Sequence, residues 1–206
     1  MDEIVAAAAR VFRAQGYAQT TLEDVAREVG INRATLYYYV ADKGELLVEV
    51  VREPVARLTG HLREISELDI DPREKLVLAV RSHVRAFADT YPHLFVFLAE
   101  NLHLHPARHH GEILKDAQDY GDLLTGIIEE GIAGGQFRAD VDARLSMLAV
   151  IGMCNWTHRW YREDGANPLE SIGEAFIELF LQGIIAPDAA GRSSRKPSKN
   201  GRSARV

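Results

Sequence analysis

The chain has 206 residues, 47% of them hydrophobic and 26% charged, with a net charge of −6 and a single cysteine, Cys154. A chain of this length buries roughly 70% of its unfolded surface, so it needs neither disulfides nor a structural metal to hold a core. One cysteine excludes a disulfide scaffold and a zinc module and fits a reducing cytoplasm. The N-terminus, MDEIVAAAAR, carries acids where a signal peptide carries bases, and its apolar stretch is too short to cross a bilayer. The greasy segments around residues 145–156 and 176–186 are interrupted by Ser146, Asn155, Glu178 and Gln182, which predicts buried helices rather than membrane spans. Charge is uneven: residues 191–206 hold six bases and no acid, which leaves −12 on residues 1–190. An acidic body argues against coating nucleic acid by bulk electrostatics, but it leaves room for a small local reading surface.

In chain order, Ile4, Ala8, Val11 and Phe12 fall on one face of a first helix closed by Gly16. Leu22, Val25, Ala26 and Val29 mark a second, opened by a capping box of Thr21 and Asp24 and stopped by Gly30. Asn32 caps a short third helix with Leu36 and Val40 on its inner face. A long pattern follows from Lys43 to about Ser66, and Pro54 inside it predicts a kink or break near Glu53. Further helices are expected over 73–90, 92–104 and 111–134. Gly134 and Gly135 end the last of these, and two strongly apolar helices follow over 142–162 and 168–186, the second opened by Asn167 and Pro168. From Pro187 the composition turns to Gly, Ser, Pro and bases, which predicts a disordered tail. No run alternates strongly enough to predict a strand. The expected fold is all-α, with a three-helix unit at 1–48, a larger helical domain at 49–186 and a basic tail at 187–206.

The informative unit is TLEDVAREVGINRATLYYYV, residues 21–40. Two short amphipathic helices joined by a tight glycine-containing turn make a helix-turn-helix, whose second helix enters the major groove while the first braces it. The first turn of the second helix offers Asn32, Arg33 and Thr35 to base edges. Tyr37, Tyr38 and Tyr39 follow in a row that one helix cannot bury entirely, and exposed phenols suit phosphates.

The succession DEIVAAAARVFRAQGY and TTLEDVAREVGINRATLYYYVADKGELL resembles the TetR family of bacterial transcriptional repressors. That resemblance implies that Thr21 holds a phosphate at the start of the bracing helix. It also implies that Asn32, Arg33 and Ala34 face base edges or the adjoining backbone, and that Tyr37, Tyr38, Tyr39 and Lys43 grip phosphates. Val40 stands where the family usually has phenylalanine, and no basic arm precedes the first helix. Residues 50–186 would then form the helical regulatory domain. Within it THRWYRED, residues 157–164, resembles a stretch in relatives that respond to acyl-CoA thioesters.

The regulatory segment supplies apolar positions such as Val80, Val84, Phe87, Leu94, Phe95 and Phe97. They suit a mostly apolar small-molecule effector whose polar end meets some of His83, Arg85, His103 and Arg159. The last two helices are apolar on more than one face, through Leu145, Leu148, Gly152 and Trp156 and through Ile172, Phe176, Leu179, Phe180 and Ile184. Such helices are buried on two sides, one against their own core and one against a second subunit. The resemblance implies a four-helix dimer interface and hence an operator of inverted symmetry in double-stranded DNA. Six histidines, His83, His93, His103, His105, His109 and His110, invite a metal reading. No cysteine or aspartate cluster joins them and Pro106 separates His105 from His109, so no metal or other cofactor is expected. Cys154 lies in an apolar run and reads as an inert packed thiol. No nucleophile elbow, phosphate-binding glycine loop or dinucleotide fingerprint is present, so an enzyme is not expected. The sequence therefore predicts a dimeric, ligand-responsive, cytoplasmic repressor. Its rival is a helical lipid-binding or acyl-chain-binding protein without DNA binding, favoured by the acidic body and the missing basic arm.

Overall fold

A computed structural model describes residues 1–90, 92–100, 111–162 and 165–185. The described residues form α-helices and one short 3₁₀ turn, and their only β feature is an isolated bridge between Phe137 and Ile185. Helix α1 (Asp2–Gln15) turns Ile4, Ala8 and Phe12 inward and ends where Gly16 takes φ 81°, a backbone conformation that favours glycine. The capping box opens α2 (Leu22–Val29), and Gly30 in the left-handed region closes it by donating its N–H to Ala26. Asn32 Oδ1 accepts the Thr35 N–H at 2.8 Å and starts α3 (Arg33–Tyr39). Leu36 and Val40 lock α3 against Val25 and Leu46 in one buried cluster.

Helix α4 (Lys43–Ser66) runs unbroken through Pro54, which corrects the expected break. A proline in mid-helix removes one backbone hydrogen bond, and here Pro54 is buried on the inward face of the helix among Val50, Val51, Val55 and Leu58. Helices α5 (Pro72–Asp89), α6 (His93–Ala99), α7 (Gly111–Ala133), α8 (Ala143–Trp156) and α9 (Leu169–Ile184) build the rest. The predicted 142–162 helix ends early, because Trp160 and Tyr161 both donate their N–H groups to the Thr157 carbonyl and turn the chain at Thr157–Arg159. Pro168, not Asn167, takes the cap position of α9. At the base of the domain Lys75 is buried, its ammonium donating to the Glu130 carboxylate at 2.9 Å and to the Ser66 carbonyl at 3.1 Å. That contact fastens the end of α4 to α5 and α7.

There are two buried clusters. One joins α1–α3 to the first half of α4, and the other joins the second half of α4 to α5, α7, α8 and α9. Short α6 enters both: Leu94 belongs to the second cluster, Val96 to the first, and Phe97 packs against each.

Candidate nucleic-acid interface and effector cleft

The reading face is built at the tip of the first cluster. Tyr38 is 87% exposed, Tyr37 and Tyr39 are about half as exposed, and Asn32, Arg33 and Ala34 are also open to solvent. Burying Leu36 and Val40 fixes the rotation of α3, so these residues must face outward. Arg33 Nη2 donates to the Tyr37 hydroxyl at 3.0 Å, and the guanidinium lies 5.3 Å from the centre of that ring. The Thr35 hydroxyl donates back to Asn32. At the bracing helix the Thr21 hydroxyl donates to the Asp24 carboxylate at 2.6 Å, and that bond holds Asp24 below the usual carboxylate range.

Lys43 sits differently from the other members of the predicted set. Its ammonium donates to the carbonyls of Tyr17, Ala18 and Thr20 at 2.8, 3.2 and 2.8 Å and lies 4.4 Å from the centre of the Tyr17 ring. All three of its protons are engaged inside the protein, and partial burial lowers its pKa. In this structure Lys43 ties the α1–α2 turn to α4 instead of facing a phosphate.

The predicted effector residues separate. Phe87, Phe95 and Arg159 line a cleft of about 970 Å³, together with Arg13, Ala14, Tyr161 and Arg162. His83 does not reach it. Its Nδ1 meets the Tyr120 hydroxyl at 2.9 Å and its Nε2 meets the Asn155 side-chain oxygen at 2.9 Å, deep between α5, α7 and α8. The Asn155 oxygen can only accept, so Nε2 carries the proton and Tyr120 donates to Nδ1. Burial brings the imidazole down to about 4 and pushes the Tyr120 phenol up. His83 is thus a satisfied core residue, which corrects its place in the effector set. Arg85 lines a smaller separate pocket beside Leu169 and Glu174. His103 lies outside the described residues, as do His105, His109, His110 and the 187–206 tail. Among the described residues no three potential metal ligands converge. Cys154 is buried, and burial pushes its thiol up to about 12.

On α8 and α9, Leu145, Leu148, Gly152, Trp156 and Leu179 are exposed, Leu179 to 66%, while Phe176 and Phe180 are half-buried. Ile172 and Ile184 are buried in their own domain, which removes Ile172 from the predicted interface set. The period of α9 turns those two positions toward α5.

The sequence profile described as bacterial regulatory proteins of the tetR family matches residues 4–50, and the one described as the tetracyclin repressor-like C-terminal domain matches residues 69–184. The chain belongs to the TetR family. It is a DNA-binding transcriptional regulator and not an enzyme. TetR-family regulators bind operator DNA and small molecules and act as dimers. The transcriptional repressor KstR2 of Rhodococcus jostii is 25% identical, over 90% of this chain and 91% of its own length. The fatty acid metabolism regulator protein of Bacillus subtilis is 27% identical, over 88% and 94%. Among solved structures, the TetR-family regulator PfmR of Thermus thermophilus is 29% identical with a TM-score of 0.79, over 87% of this chain and 97% of its own. No helix among the described residues is long and apolar enough to cross a membrane.

Within this TetR-family chain, sequence reasoning misses Arg13 and Ala14 at the cleft, because nothing local places the end of α1 beside residue 159. Tyr161 and Arg162 do carry a signal, the THRWYRED resemblance. The turn at Thr157 is what brings them to Phe87, whose ring meets that of Tyr161 edge-on at 6.3 Å between centres.

Proposed function

We propose that the chain is a dimeric repressor of an inverted-repeat operator, released when an amphipathic effector fills the cleft lined by Phe87, Phe95 and Arg159. Residues 1–48 form the reading unit, 49–186 the regulatory and dimerising domain, and 187–206 a basic tail. Thr21, Asn32, Arg33, Ala34, Thr35, Tyr37, Tyr38 and Tyr39 meet DNA. Leu145, Leu148, Gly152, Trp156, Phe176, Leu179 and Phe180 pair two copies through α8 and α9. The observation that carries the switch is the triple allegiance of α6: Leu94 in the regulatory core, Phe95 in the cleft and Val96 in the core of the reading unit. An effector that displaces Phe95 must carry Val96 with it, because close-packed side chains transmit rather than absorb such a shift. Helix α4, which shares both cores, then changes the separation of the two reading heads.

The effector is a mostly apolar molecule with an anionic end. A fatty acid or its coenzyme A thioester fits the aromatic wall and the arginines, and one similar protein bears the name of a fatty acid metabolism regulator. Footprinting on genomic fragments, followed by addition of acyl-CoA thioesters, tests the reading. The expected result is a two-fold symmetric footprint that these compounds erase. Compounds that raise thermal stability but leave operator affinity unchanged would sink the switch.

A further inference from the structure

We infer that the reading unit itself forms one wall of the effector site, with Arg13 of α1 binding the phosphates of a coenzyme A thioester that Arg159 and Arg162 hold from the regulatory side. This rests on the reading of the chain as an effector-released repressor. The cleft draws Arg13 and Ala14 from α1, Phe87 from α5, Phe95 from α6, and Arg159, Tyr161 and Arg162 from the segment after α8. Its chemistry is divided. Three aromatic rings offer an apolar wall, and three guanidiniums offer planar donor forks that match phosphate oxygens. A lone carboxylate needs one such fork, so three on one cleft match an end that bears several phosphate charges. The volume of about 970 Å³ stands at the upper end of the range for small-molecule sites, which suits a large nucleotide-like head group as well as a chain.

Arg13 is well placed to act on DNA binding. Its neighbour Phe12 is in the core of the reading unit, Arg10 pairs with Glu28 of α2 at 3.1 Å, and Lys43 ties the α1–α2 turn to α4. A displacement of Arg13 therefore moves α1, α2 and α3 together. Phosphates bridging Arg13 to Arg159 and Arg162 favour one spacing of α1 from the turn at Thr157–Arg159, and the operator selects another. That difference in affinity is what releases DNA. An acyl chain without the head group reaches Phe87, Phe95 and Tyr161 but lacks the bridge.

Calorimetric titration of the full chain with decanoyl coenzyme A, coenzyme A and decanoate tests this. Arg13→Gln is expected to lower affinity for decanoyl coenzyme A and for coenzyme A about tenfold, the effect of losing one charge-assisted contact, with decanoate unchanged and Arg13→Lys recovering part of the loss. Unchanged thioester affinity in Arg13→Gln overturns the inference. An equal loss for decanoate and thioester puts a carboxylate on Arg13 and overturns the phosphate assignment. A wild-type chain that binds no thioester at all overturns the functional reading beneath it. A second measurement does not depend on removing Arg13: Ala14→Cys adds an exposed thiol to a chain whose own Cys154 is buried. Decanoyl coenzyme A at ten times its Kd should slow maleimide labelling of that thiol about tenfold. An unchanged labelling rate means that α1 does not line the occupied site.

Discussion

In α1–α3 and the start of α4 the decisive polar groups sit at helix ends and on the outer face: Thr21 with Asp24, Asn32 with Thr35, and Lys43 on three carbonyls. In α5, α7 and α8 they lie inside, where His83, Tyr120 and Asn155 form a chain with no charge. The first arrangement fixes where a short helix begins and how α3 is rotated, and it leaves exposed donors able to exchange water for DNA. The second fixes how three long helices sit against one another, and it punishes any change in protonation. The two regions are therefore expected to answer mutation and pH differently.

The largest effect belongs to the buried chain. His83→Leu leaves the Tyr120 hydroxyl and the Asn155 amide without partners and should cost about 3 kcal/mol, read from the urea midpoint. The wild type carries the matching pH signature. With the folded imidazole depressed from 6.5 to about 4, the unfolded chain takes up the proton first. Stability is therefore complete above about pH 6.5 and falls as the pH drops through about 4, by about 3 kcal/mol in all. His83→Leu should flatten that window. A variant that keeps the full slope would place the titrating group elsewhere.

Next comes the outer face of α8 and α9. Leu179→Arg puts a charge on a two-thirds exposed position that the proposed dimer buries. It should weaken self-association by about 2 kcal/mol or more in sedimentation, with monomer helicity unchanged. Undiminished dimerisation would move the interface to another surface.

Smaller effects separate two basic residues of the reading unit. Arg33→Ala should cost about 1–2 kcal/mol of operator affinity and relax one base position per half-site, the low end for a base contact because Arg33 must first leave Tyr37. Lys43→Met should weaken every sequence alike by about 1 kcal/mol by loosening the α1–α2 turn. Because its protons are engaged inside, the salt dependence of binding should stay the same. A salt slope reduced by about one unit would mean that Lys43 turns outward to a phosphate when DNA binds.

The same division explains what is legible in the sequence. Caps, turn glycines and the rotation of α3 are set within three or four residues, so Thr21, Asn32, Gly30 and the exposed tyrosines can be read directly. His83 reads as an effector residue because a histidine facing a core and one facing a cleft leave the same helical pattern. Only Tyr120 and Asn155, 37 and 72 residues away, decide between the two. Arg13 is invisible for the same reason. The local rule predicts a break at Pro54, and the packing of α4 overrides it. The apolar stripe of α9 is legible as two-sided, but the assignment of Ile172 to the inner side requires the position of α5.

A spin label at Tyr38→Cys, on the most exposed tyrosine of α3, reports the separation of the two reading heads, since Cys154 is buried and leaves one labelled site per protomer. Pulsed dipolar spectroscopy on the operator complex should give a narrow distribution set by half-sites about one DNA turn, ~34 Å, or a multiple of it apart. Decanoyl coenzyme A should shift the distribution of the free dimer away from that separation as it releases the operator. Release with an unchanged distribution would contradict the coupling through α6 and α4.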